Sequence, residues 1–101
     1  MPNEIPTSVR AFINRRDPKC PRCGAPGAEL AHRMRRREGG HRKYGIIRLC
    51  RACHRWSHAN PKQAEAQGYI VSAFSDPEEM VNIPILTRWG WRRLNDQGEW
   101  E

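Results

Sequence analysis

The chain has 101 residues, 38% of them apolar and 29% charged, and a formal net charge of +7. That length suits one small domain, and four Trp in a sequence of ordinary complexity argue against plain disorder. No run of about 18 apolar residues exists to span a bilayer; the basic balance points instead to a polyanion, nucleic acid ahead of phospholipid, with no membrane partner expected.

The charge is unevenly placed. Residues 1–58 hold 14 Lys/Arg against 4 Asp/Glu, a formal +10. Residues 59–101 hold 4 against 7, a formal −3. The polyanion should therefore meet the first half of the chain. Met1-Pro2-Asn3-Glu4-Ile5-Pro6 has neither a basic nor an apolar leader region, so the expected location is cytoplasmic.

In chain order, Thr7 is predicted to cap a helix over Ser8 to Arg16, with Val9, Phe12 and Ile13 on one face. Asp17-Pro18 ends it. Cys20-Pro21-Arg22-Cys23-Gly24 follows as a tight knuckle. Ala28 to His32 can be a strand. Residues 33–43 hold six basic residues and one Glu, read as a surface loop turning at Gly39-Gly40. Ile46 to Leu49 returns as a strand into Cys50-Arg51-Ala52-Cys53, and Cys53 to Ala59 continues as a helix.

Asn60-Pro61 opens a second short helix through Gln67, with Gly68 at C′. Tyr69-Ile70-Val71 reads as a strand and Asp76 to Glu79 as a turn or single helical turn. Pro84 to Thr87 and Trp89 to Leu94 read as strands, and Asn95-Asp96-Gln97-Gly98 as a hairpin turn leading back through Trp100. The expected class is α+β: a zinc-stapled domain over residues 1–72, with a β-rich extension over 73–101 packed on it.

Cys20, Cys23, Cys50 and Cys53 form two CxxC pairs, 26 residues apart. In a reducing compartment such pairs read as a metal site, and four thiolates suit a closed, structural Zn²⁺. Two redox pairs or two disulfides are the alternatives. His54 and His58 lie four apart on the predicted helix and share a face, a spacing able to hold one divalent ion. The alternative is a pair of polar helix residues beside the thiolates. His32 ends the opposing strand, where an imidazole can take a proton from water. His41 reads as a phosphate contact or as a residue without a role.

Leu30-Ala31-His32-Arg33, Gly39-Gly40 and Ile47 through His58 together resemble the HNH (ββα-metal) endonucleases, nearest to the small zinc-containing kind of phages and prophages. The resemblance covers about residues 9–71. Ile83 to Thr87 and Trp91 to Leu94 resemble the tails of such proteins less specifically. The resemblance implies metal-assisted hydrolysis of DNA, or of RNA, with His32 as general base. It assigns His58 and its partner His54 to a second divalent ion, Mg²⁺, Mn²⁺ or another transition metal, and to catalysis. Arg33, Arg35, Arg36, Arg37, Arg42 and Lys43 would hold phosphates, where the alternative is a solvated charged loop. Two positions depart from the family pattern. Ala31 stands where an Asp or His often binds metal, and Gly45 stands near the place of the Asn that steadies the base. Two further readings are a non-catalytic nucleic-acid-binding module and an adaptor for a phage packaging complex or a host protein.

Overall fold

A computed structural model describes residues 4–101. The elements in order are helix α1 (Thr7–Arg16), strand β1 (Glu29–His32), a four-residue helix α2 (Arg36–Gly39), strand β2 (Ile46–Leu49), helix α3 (Arg51–Ala59), helix α4 (Pro61–Ala66), and strands β3 (Ile85–Thr87) and β4 (Gly90–Arg92). Short 3₁₀ turns cover Lys43–Gly45 and Pro77–Asn82. The class is α+β, as expected. Among the described residues, no helix is long and apolar enough to cross a membrane.

The centre is a strand–strand–helix unit. β1 and β2 pair antiparallel, with Glu29 opposite Leu49 and His32 opposite Ile46. Both faces of this hairpin are covered. Ile47 and Leu49 pack with Ala31, Cys20, Cys50, Cys53 and Leu94, while Ile46 packs with Ile5 and Ile13. The same core takes in Ile85, so residues from the C-terminal tail are buried against the cysteine-bearing unit. β3 and β4 form a second, separate antiparallel pair.

One buried carboxylate ties three parts of the chain. Asp17 ends α1, where Pro18 cannot continue the helix. Its side chain accepts from Arg16, from the Arg48 amide on β2 at 3.2 Å and from Trp100 Nε1 at 2.8 Å. Gly68 follows α4 at φ +87°, and a Cβ there would overlap the Pro84 carbonyl; only glycine fits.

Three expectations are corrected. Pro6, not Thr7, holds the N-cap position of α1, and no side chain caps it. Tyr69-Ile70-Val71 is not a strand: the segment has no ladder, although the Val71 amide donates to Arg33 O at 2.7 Å. The basic segment is not wholly a surface loop. Arg33 and Met34 are 2% exposed, and Met34 packs with Val71 and Met80.

Candidate metal centre and histidine cleft

The first knuckle and the start of α3 bring four sulfurs together. The Sγ atoms of Cys20, Cys23, Cys50 and Cys53 all lie within 4.8 Å of one another. Cys23 and Cys50 sulfurs are 3.6 Å apart, close to the separation of about 3.8 Å that a tetrahedron with 2.3 Å Zn–S bonds requires. None of the four is in a disulfide. The turn chemistry does the aiming: Gly24 takes φ +87°, and its amide donates to Cys20 O at 2.8 Å. Cys50 caps α3, with its sulfur accepting from the Cys53 amide at 3.3 Å.

The surroundings suit a charged cluster. Four thiolates around Zn²⁺ carry a net −2. Arg22 reaches Cys53 Sγ at 3.4 Å, with its guanidinium 3.6 Å from the Trp56 ring centroid. Without a cation, burial pushes the Cys53 thiol up to about 12, against the Arg22 hydrogen bond. A bound divalent ion would hold such a thiol deprotonated. Donor set, spacing and charge all fit zinc, and the cluster can hold it.

His32, His54 and His58 line one cavity of about 880 Å³ together with Arg33, Arg35, Arg36 and Glu38. β1 delivers His32 at its last residue, and α3 delivers the other two one turn apart, ring centroids 4.9 Å from each other. Glu29, at the start of β1, accepts from His54 Nδ1 at 2.8 Å. That contact holds the Glu29 carboxyl below its usual range, with Arg51 nearby assisting. With Nδ1 engaged, His54 has Nε2 for any ligand.

His32 is half-buried. Its Nε2 lies 3.1 Å from His41 Nδ1. Burial, and then the charges of Arg36 and His41, push it down to about 4. The imidazole is therefore neutral at neutral pH, free to accept a proton but a weaker base than an ordinary histidine. Glu38 contributes a carboxylate whose Oε2 is buried with no hydrogen-bond partner. The histidines do not close into a tight ligand cluster; among the described residues only the four cysteines do.

The six expected phosphate contacts divide. Arg35 and Arg36 line the cavity with the histidines. Arg33 is a correction. It borders the same cavity, but its guanidinium is buried and donates to the carbonyls of Gly68, Tyr44, Met80 and Ile83 at 2.8–3.2 Å, so it serves the fold ahead of any phosphate. Arg42 turns back on Gly39 O at 2.6 Å and pairs with Glu78, and Lys43 lies over the Phe12 ring. Arg37 is exposed and does not line the cavity. The sequence reading missed the His32–His41 bond, Arg22 and Glu38. The hairpin itself held one signal, since a chain reversing at Gly39-Gly40 brings position 41 back toward 32.

No protein-family profile, curated protein or solved structure matches this chain.

Proposed function

We propose that this chain is a metal-dependent endonuclease of the HNH type, cleaving phosphodiester bonds of DNA, with a structural Zn²⁺ on its four cysteines. The observation that supports it most is the single cavity shared by His32 from β1, His54 and His58 from α3, and the guanidinium-bearing Arg35 and Arg36. A strand end and a helix face, fixed by one cysteine clasp, are a rigid frame for proton transfer beside a bound phosphate.

In this reading Arg35 and Arg36 take the phosphates that flank the scissile bond. His32 is neutral and is held through Nε2, so it accepts the proton of a water at Nδ1. His58 and His54 Nε2 would hold a divalent ion, which supplies charge stabilisation for the phosphate and leaving oxygen. His41 does the steadying that Gly45 lacks a side chain to do.

A second reading is a nucleic-acid-binding module with weakened catalysis. It is favoured by Ala31, which packs against Ile47 in the core and offers no ligand. Plasmid nicking by zinc-loaded protein, across Mg²⁺, Mn²⁺ and other divalent ions, separates the two. The nuclease reading expects His32→Ala to lose about 10²–10⁴-fold in rate while DNA binding persists. Wild-type protein that nicks no faster than His32→Ala under every ion defeats it and leaves the module.

A further inference from the structure

Away from the histidine cleft, the C-terminal hairpin displays aromatic rings that the core does not need. Trp89 is 49% exposed, in the two-residue turn between Thr87 and Gly90. Leaving that much indole in water has a cost that burial elsewhere would avoid. The ring sits on a fixed support. The Trp89 amide donates to Thr87 Oγ1 at 3.1 Å, and that hydroxyl donates to Gly90 O at 2.7 Å. The Arg88 amide donates to Pro21 O, inside the first cysteine knuckle. The turn is thereby fastened to the cysteine centre.

A second ring faces it. Trp100 lies 6.3 Å from Trp89 between centroids, at 64°. Its Nε1 is anchored on buried Asp17. Trp89, Trp100 and Arg92 line a small cavity of about 220 Å³, and no carboxylate lines it among the described residues. Glu99 opens on another cavity that includes Trp100, with Arg15 and Arg16.

Charge selects the occupant. Aromatic notches commonly take cations. Here Arg88 lies 4.5 Å over the Trp89 ring, Arg16 lies 5.6 Å from the Trp100 centroid, and Arg92 forms the remaining wall. Arg16 is already paired with Asp17, but a cationic ligand would still meet Arg92 in the wall and Arg88 over Trp89, and an apolar one would desolvate Arg92 without pairing it. A flat ring joined to an anion satisfies both. We propose that Trp89, Trp100 and Arg92 bind one unstacked nucleotide of a single-stranded nucleic acid, with the base stacked on Trp89, its edge against Trp100, and its phosphate on Arg92. Stacking of this kind is tolerant of sequence, and it requires a base freed from its duplex.

The test is fluorescence anisotropy of a labelled oligothymidylate with zinc-loaded protein and no other divalent ion. Cleavage plays no part in the readout, so failure of the nuclease reading leaves this result intact. Trp89→Leu should weaken binding about tenfold, while Trp89→Phe keeps most of it. Arg92→Gln should lower the log–log salt slope by about 0.7. Trp91→Ala, which removes an equally exposed indole outside the notch, should change neither. On a duplex, Trp89→Leu should bind as wild type does. The proposal is overturned if oligothymidylate does not bind at low salt, or if Trp89→Leu binds normally at native zinc content. Equal losses from Trp91→Ala or on duplex would overturn it too.

Discussion

His32 and His41 meet edge to face, with Nε2 of one 3.1 Å from Nδ1 of the other and ring planes at 61°. The bond crosses the connection between β1 and β2 and fixes a ring that burial keeps neutral. An unfolded His32 titrates near 6.5 and the native one near 4. Between those values the unfolded chain binds more protons than the native one. His32 therefore contributes stability that is complete above about pH 6.5 and is lost as the pH falls toward about 4. Tm should drop more steeply over this window for wild type than for His32→Gln. Parallel curves for the two proteins would contradict the shift.

Zinc removal should be the most damaging single treatment. Structural zinc sites contribute about 10–16 kcal/mol in small domains, comparable with or above the whole stability of about 5–15 kcal/mol. Cys20, Cys50 and Cys53 are also buried in the main core, beside Leu49 and Leu94. A strong chelator should abolish the cooperative thermal transition, and one equivalent of Zn²⁺ should restore it. Native protein holding under half an equivalent, or apo protein melting like holo, would refute the zinc assignment.

Arg33 and Arg35 are two residues apart and should behave oppositely. Arg33→Leu leaves four carbonyls without their charged donor, and each such bond is worth roughly 1.5–3 kcal/mol. Urea unfolding should show a loss of about 3 kcal/mol or more. Arg35→Gln should cost under about 0.5 kcal/mol, as a surface change does. It should instead lower the salt slope of duplex binding by about 0.9. A stable Arg33→Leu variant would show that this guanidinium is not holding the loops together.

This contrast also marks what the sequence could convey. The two CxxC pairs, Ile46 to Leu49 as a strand and the helix ending at Ala59 were legible because spacing and local pattern determine them. The strand end at His32 and the helix face of His54 and His58 followed from the same local rules, and the structure places all three on one cavity. Arg33 was not legible. Its neighbours are five other basic residues within the same run, and only the distant carbonyls of Gly68, Met80 and Ile83 distinguish it from them. Tyr69 to Val71 failed for a related reason: the apolar triplet matches a strand, but Val71 pairs with Arg33 alone and no ladder follows. The Asp17–Trp100 bond spans 83 residues, beyond the reach of any local pattern.

Glu29 gives the last prediction. Its carboxylate contacts His54 Nδ1 at 2.8 Å from the first residue of β1, and Arg51 lies 3.5 Å from its other oxygen. A carboxylate in this position makes Nδ1 the protonated nitrogen and leaves the Nε2 lone pair for a metal ion. Glu29→Gln keeps the size but can present either an oxygen or an amide group to Nδ1, so the tautomer is no longer fixed. Loss of such an orienting partner typically weakens metal binding about 10–100-fold. In the nicking assay, Glu29→Gln should raise the divalent-ion concentration for half-maximal cleavage by that factor. The rate at saturating ion should change little, because His32 is untouched. His58→Ala should raise the requirement further, since it removes a ligand rather than its support. An unchanged ion requirement in Glu29→Gln, with His58→Ala strongly affected, would mean that His54 is not a ligand and that His58 holds the ion without it.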